Sequence, residues 1–498
     1  MKSSVNFYQA DLPATLFPLK TNLLLVSHHS GELSDYIYQR VINSDCPADG
    51  FLAQQKVYAT KPKGHLRRTV KLDPVAEYFI YDIIYRNRSI FRPEVSESRK
   101  SFGYRFKNGS YIPVHSAYSE YKKNLQECVK LYAHSARFDI ASYFNSLYHH
   151  DVAHWFSSND NVTKTDANAL SQFFREINSG RSVDFMPHGI YPTKMIGNEF
   201  LKFVDLHGQL KSAQIVRFMD DFAVFDNDPD VINRDFIKIQ QLIGQFGLNV
   251  NPSKTDFDSS YGCVSEALTE IQSSLLEVVP SYKLSGFTPS GVGVIEWEED
   301  GEIVEKDLST NQIDALLGIL KNESIEETDA DRILEFLRSH SDSLLDQLPT
   351  LLLRFPNLIK HIHSICAEIN DKKRLVSVID GFLDKKPYLL EYQIFWLASI
   401  IEDYLLTERG HGDLLIKLFE LSADYKIARS KILEIPIQGF GFKEIRNEYL
   451  KTGQSDWLSW ASAAGSRTLK AAERNYVLDY FSKASPLNYL VAECIKKI

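Results

Sequence analysis

A chain of 498 residues is too long for one ordinary domain, and two or three are expected. Hydrophobic residues at 44% and charged residues at 24% are the proportions of a soluble globular protein, and no stretch of about 18 uncharged apolar residues is present to cross a bilayer. The net charge of −9 argues against a surface coated for non-specific nucleic-acid binding. Five scattered cysteines without a C-x-x-C pair argue against a thiolate zinc site and point to a reducing cytoplasm, as does the lack of a signal-peptide pattern.

Along the chain, the first 45 residues mix polar and apolar stretches and read as an N-terminal extension. From about Lys56 short strand-like runs alternate with helices, and "VAEYFIYDIIYR" (Val75–Arg86) has helical apolar spacing. Between Lys56 and Arg105 stand twelve Lys and Arg against five acids, a basic zone inside an acidic chain. It reads equally as one phosphate-facing surface or as a solvated charged face. From Gly286 to Val304 the chain reads as β, with an Asp300–Gly301 turn between two alternating arms. "STNQ" (Ser309–Gln312) is a capping-box start, and from there to Ile498 helical periods of about 10–16 residues follow one another with short breaks, as in stacked antiparallel helix pairs. The expected division is therefore an α/β (α+β) part over 1–305 and an all-helical, HEAT-like repeat part over 306–498.

The chemistry centres on "IVRFMDDFAVF" (Ile215–Phe225), where two adjacent acids, Asp220 and Asp221, interrupt an apolar, β-prone run. Adjacent aspartates are usually a hydrated turn. The flanks here instead place them at the tip of a buried hairpin, where two charges repel unless a cation binds. Upstream, "ARFDIASYFNSL" sets Asp139 between a strand-like run and a helix start with Tyr143 and Phe144. Three carboxylates and no thiolate suit Mg2+, and two such ions can serve nucleotidyl transfer.

In order, these segments resemble the fingers and palm of a reverse transcriptase. "KPKGHLRRTVKLDPVAEYFIYDII" and "SRKSFGYRF" resemble the fingers motifs, "FDIASYF" the first catalytic motif, "FMDDF" the Y/F-x-D-D box, and "FGLNVNPSKT" the segment that follows it. The resemblance implies that Asp139, Asp220 and Asp221 hold two Mg2+ or Mn2+ ions. It implies that Phe144 excludes a 2′-hydroxyl, that Lys63, Arg67 and Arg68 meet the incoming triphosphate, and that Lys254 stands near the leaving pyrophosphate. One segment departs from the family pattern: "HGIYPTKMIGN" (His188–Asn198) has its proline displaced, Lys194 inserted and Gly197 in place of the usual serine.

The helical C-terminal part, with "GFKEIRNEYLKTGQSDWLSWASAAG", is similar to the abortive-infection reverse transcriptases of bacteria, the AbiK-like, prophage-encoded polymerases. That resemblance implies template-independent synthesis from deoxynucleoside triphosphates and priming on a tyrosine, with single-stranded DNA covalently attached. It further implies a homo-oligomer (trimer or hexamer), antiphage defence in the cytoplasm, and no membrane partner. Of 25 tyrosines, Tyr8 lies in a segment that could thread into the site. A conventional RNA-templated reverse transcriptase and a non-catalytic phage-sensing scaffold are the alternatives. His150 and His154, at i and i+4, and the "HIH" of His361–His363 read as structural, and Trp457, Trp460 and Tyr476 as core packing before base stacking.

Overall fold

The computed structural model describes residues 3–42, 49–91, 96–181, 183, 185–258, 308–322 and 325–498, together with the backbone alone of 281–287 and 293–298. Its strands are β1 (Gln55–Thr60), β2 (Leu66–Lys71), β3 (Arg99–Phe102), β4 (Phe106–Lys107), β5 (Ser110–Tyr111), β6 (His134–Asp139), β7 (Gln214–Phe218), β8 (Asp221–Asp226), β9 (Asp256–Phe257), β10 (Ser281–Phe287) and β11 (Gly293–Glu298). The described residues form two compact units. One comprises those of Met1–Asp11, Ser30–Gln55 and Leu72–Tyr261; the other those of Leu12–His29, Lys56–Lys71 and Gly262–Ile498.

The first unit is built on a five-stranded mixed sheet in the order β3-β7-β8-β6-β9. Every residue of β7 is buried, so "QIVRF" reads as a central strand covered on both faces. It pairs in parallel with β3 and forms an antiparallel hairpin with β8, which pairs antiparallel with β6. Because cross-strand partners share a face, Phe218, Asp221 and Asp139 lie on one side of the sheet and Arg217, Phe222 and Phe138 on the other. On the first side the helix Val114–Leu131 lays Tyr118 and Tyr121 against Phe218, with ring centroids 5.2 and 5.5 Å away. On the second, Phe138 stacks on Phe222 at 5.3 Å and meets Phe236 of the helix Pro229–Gly244 edge-on.

The helix foreseen over Val75–Arg86 spans Pro74–Arg86, with Pro74 in its first turn and Asp73 accepting from Ala76 N at 2.9 Å. It is buried almost all round, which makes it a core helix. Its two buried acids are met by hydroxyls of the N-terminal residues. Tyr8 Oη donates to Glu77 Oε2 at 3.1 Å, and Ser4 Oγ to Asp82 Oδ1 at 2.6 Å.

The second unit is a two-row array of helices. Ile359–Cys366, Glu391–Ile400, Lys426–Glu434, Trp457–Gly465 and Pro486–Lys497 pack successively in one row, and Lys372–Asp384 packs on His411–Leu421 in the other. The capping box at Ser309 and Gln312 is formed and opens the helix Thr310–Lys321. The expected turn at Asp300–Gly301 lies outside the described residues; β11 pairs antiparallel with β10.

The units do not follow a single cut at residue 305. Residues 12–29 and 56–71 belong to the helical unit, for visible reasons. The helix Lys20–His28 places its unsatisfied N-terminal amides, Lys20 N and Thr21 N, on the buried carboxylate of Glu434, each at 2.9 Å. Phe17 packs edge-on against Tyr392 and Phe395. The ribbon β1–β2 is tied down by Thr60 Oγ1, which donates to Pro356 O at 3.1 Å. Trp457 and Trp460 are core residues, as their pattern indicates, whereas Tyr476 is 81% exposed. Cys128, Cys366 and Cys494 are buried and form no disulfide among the described residues, while Cys46 and Cys263 lie outside those residues.

Candidate active site

Two of the three aspartates are joined by the sheet itself. Asp139 ends β6 and Asp221 begins β8, and the two are direct cross-strand partners. Asp220 occupies the two-residue turn between β7 and β8 with Met219, whose φ of +58° lies in the left-handed region. Positive φ at the first turn residue is the pattern of a type II′ hairpin, a position that glycine prefers, so the turn is held under strain of about 1–3 kcal/mol. Two hydrogen bonds over-determine it: Ile140 N donates to Asp220 O at 3.2 Å, and Arg217 Nη1 to Met219 O at 2.8 Å.

The segment "FGLNVNPSKT" closes the other side. Ala141 N donates to Asn249 O at 2.8 Å and Asn251 N to Asp139 O at 2.9 Å. Asn251 then caps the short turn Pro252–Lys254, and Lys254 Nζ reaches Asp139 Oδ2 at 2.6 Å. Asp139, Asp221 and Lys254 line an open pocket of about 260 Å³ with Tyr118, Tyr121 and Lys122.

Like charges directly opposite in an antiparallel pair repel. Burial, then the neighbouring Asp221, raise the Asp220 carboxyl to about 7, and burial followed by Asp139 raises Asp221. The hydrogen bond from Lys254 to Asp139 raises the lysine in turn, so its ammonium stays charged. Asp139 Oδ1 is buried and meets no hydrogen-bond donor among the described residues.

These residues fit a hard divalent cation in their chemistry, being all-oxygen donors with a surplus of negative charge and one buried oxygen unsatisfied. Among the described residues, however, no three His, Cys, Asp or Glu side chains converge in metal-ligating geometry. The amine of Lys254 occupies the Oδ2 position of Asp139, and mutual repulsion opposes bringing the three acids together without a cation.

Phe144 lies on the short helix Tyr143–Ser146 that follows Asp139 in the chain. Its ring is buried edge-on to His188 at 4.5 Å, and its carbonyl accepts from Met186 N at 2.8 Å. Gly197 has a local reason: a Cβ there would stand 3.2 Å from Tyr143 Cε1 and 3.4 Å from Phe144 Cζ, where the Tyr143 hydroxyl donates to Gly197 O at 2.7 Å. Lys194 lies over the Tyr104 ring at 5.0 Å.

Lys63, Arg67 and Arg68 are not in the unit that carries the carboxylates; they lie on β1–β2 of the second unit. Lys63 takes φ +57° at the tip and its amide meets Glu327 Oε2 at 3.3 Å, Arg67 is half-buried, and Arg68 is exposed. Tyr8 requires correction. Its ring is fully buried against Tyr81 and its hydroxyl is bonded to Glu77, because α-helical spacing turns it onto the core helix rather than toward solvent. His150 and His154 lie on the helix His149–Ser157.

Two residues were missed. Arg217 is completely buried, and its only signal was a charge inside an otherwise apolar strand. Tyr118 faces the pocket and gave none.

No family profile matches the chain, and no curated protein does. Among solved structures, telomerase from Candida albicans in complex with a TWJ fragment of telomeric RNA is 12% identical, with 80% of this chain and 65% of that chain covered at a TM-score of 0.30. Apo telomerase from Candida tropicalis is 12% identical, with 80% and 70% covered at the same score. A TM-score of 0.30 carries no argument about this chain. No helix among the described residues is long and apolar enough to cross a membrane.

Proposed function

We infer that the chain is a DNA polymerase of the reverse-transcriptase type, transferring deoxynucleotides from their triphosphates. The observation that supports this best is the pairing of Asp139 with Asp221 across two central strands, with Asp220 in the intervening strained turn and Lys254 alongside. An excess of acids gathered at a hairpin tip has no packing value of its own and is relieved by a cation. Asp139, Asp220 and Asp221 would hold Mg2+. When bound, the ions activate an attacking hydroxyl and stabilise the leaving pyrophosphate.

The protein's own groups supply the rest. Lys254, kept protonated beside Asp139, can donate a proton to the departing pyrophosphate or shield its charge. Phe144 presents a fixed ring that disfavours a 2′-hydroxyl. The proposal that Lys63, Arg67 and Arg68 receive the triphosphate rests on the motif alone, as do antiphage defence, homo-oligomeric assembly, a cytoplasmic location and synthesis without a template.

Protein priming requires a phenol that can reach the carboxylates. Tyr8 is sealed in the core, whereas Tyr118 is 41% exposed and lines the same pocket as Asp139 and Asp221, which favours Tyr118 for that role. The deciding experiment incubates the purified chain with Mg2+ and labelled deoxynucleoside triphosphates, with neither template nor primer, and resolves the products with and without protease. Protein-bound label that Tyr118→Phe abolishes supports untemplated, protein-primed synthesis. Incorporation only after an RNA template and primer are added favours the conventional reverse transcriptase. No incorporation under either condition would overturn the enzymatic reading.

A further inference from the structure

We propose that Arg217 is a positioning residue whose guanidinium fixes the Met219–Asp220 peptide, and thereby sets the Asp220 carboxylate where it can share a divalent cation with Asp139 and Asp221. The proposal rests on the metal-dependent reading above and extends it to a residue for which the resemblance implies no role.

Arg217 sits in the middle of β7 at 0% exposure. Its Nε donates to Asp205 Oδ1 and Oδ2 at 2.9 and 3.1 Å, and Nη2 donates to Asp205 and to Ser101 Oγ, the latter at 3.0 Å. Nη1 donates to Met219 O at 2.8 Å and to Asn198 Oδ1 at 3.2 Å. The fork therefore ties β3, the helices Tyr191–Phe200 and Lys202–Asp205, and the catalytic turn to one planar group.

Packing alone does not call for this. A buried ion pair adds little net stability over apolar side chains of the same volume, so its retention points to a specific geometric task. The partner that distinguishes this arginine is Met219 O, the carbonyl of the peptide leading into Asp220. With Met219 at φ +58°, that peptide has a lower-energy orientation available unless something holds it. The bond from Ile140 N fixes the far side of Asp220, and the bond from Arg217 fixes the near side.

Lysine at 217 keeps the charge opposite Asp205, but one ammonium cannot also span Ser101 and Met219 O. The test is Arg217→Lys in the full chain, compared with wild type and Asp220→Asn. Mn2+ binding is measured by calorimetry without nucleotide, alongside kcat, KM and thermal unfolding. The expected result is a melting curve close to wild type, Mn2+ affinity weaker by about tenfold, and kcat lower by about 10–100-fold with KM for the deoxynucleotide nearly unchanged. A folded Arg217→Lys with wild-type Mn2+ affinity and kcat would overturn the proposal.

If Arg217→Lys does not fold, Ser101→Ala decides. That change removes one acceptor of the fork, and a loss of Mn2+ affinity and kcat of about threefold at an unchanged melting temperature supports positioning. Wild-type values for both overturn it. If wild type and Asp220→Asn bind Mn2+ equally weakly, the metal reading itself fails, and the inference with it. If they differ while Arg217→Lys matches wild type, only the inference fails.

Discussion

Two groups of acids, one in each unit, are balanced in opposite ways. In the helical unit, Glu402 and Glu434 share Lys431, with Nζ–O distances of 2.7 and 3.1 Å and all three side chains at 0% exposure. Glu434 is further occupied by Lys20 N, Thr21 N and the Thr21 hydroxyl. In the sheet unit, Asp139 is paired with Lys254, whose side chain is 65% exposed, while Asp220 and Asp221 stand beside it. The first group is charge-balanced by Lys431, with Arg467 Nη2 4.0 Å from Glu402 Oε1, and it ties an N-terminal helix into the array. Each group holds one buried oxygen that meets no hydrogen-bond donor among the described residues, Glu402 Oε1 in the first and Asp139 Oδ1 in the second. What sets the second apart is its surplus negative charge, which is the condition of a site that awaits a cation.

Breaking the balanced group has the largest expected effect. Lys431→Met leaves Glu402 and Glu434 without their counter-charge, and a buried pair deprived of one partner loses about 3–5 kcal/mol. Chemical denaturation of the full chain checks this, and no divalent cation is expected to restore the loss. Unfolding at the wild-type denaturant concentration would show that the array does not depend on this cluster.

Breaking the unbalanced group costs activity instead. Asp220→Asn is expected to lower deoxynucleotide incorporation by more than about a hundredfold, because it removes an oxygen donor for which no neighbouring group substitutes. The same change should leave the fold intact or stabilise it at pH 8 without divalent ions, since it deletes one of three repelling charges. A thermal melt reads the second effect and a labelled-nucleotide assay the first.

The pH dependence sharpens the contrast. The Asp220 carboxyl is raised from its ordinary value of 3.8 to about 7, so the folded state binds a proton there that the unfolded chain has released. Its contribution to stability is complete below about pH 4 and is lost as pH rises through 7. In chelator, the melting temperature of the sheet unit should therefore fall between pH 5 and 8, Mg2+ should oppose that fall, and Asp220→Asn should flatten it. A melting temperature independent of both pH and Mg2+ across this window would contradict the charge imbalance.

Much of the sheet unit was legible because strands of β-branched and aromatic residues flank short polar tips. "ARFD" and "FMDDF" declared both the strands and the acids, and "NPSKT" declared the lysine beside them. What the sequence could not supply was pairing. That Asp139 lies opposite Asp221 rather than beside Asp220 follows from β6 pairing with β8, a choice made by tertiary contacts. Nor could a linear reading assign 12–29 and 56–71 to the helical unit, because the groups that hold them, Glu434 and Pro356, stand hundreds of positions away in the chain. Arg217 illustrates a third limit: a lone charge in an apolar strand announces that it is satisfied, without saying by what.

The smallest expected effect concerns Tyr8, and it tests how helix faces are read. By sequence alone Tyr8 is a priming candidate, on an N-terminal segment able to enter the site. In the fold, the helix Ser4–Asp11 packs on Pro74–Arg86, and both Phe7 and Tyr8 are buried there. Tyr8→Phe removes one hydroxyl that donates to Glu77 and keeps the ring that meets Tyr81 edge-on at 5.1 Å. The expected change is about 1 kcal/mol of stability, with nucleotide incorporation and any protein-linked product unaltered. Loss of protein-linked label in Tyr8→Phe at an unchanged melting temperature would mean that the N-terminal helix leaves the core to reach the aspartates, and the assignment of Tyr118 would then give way.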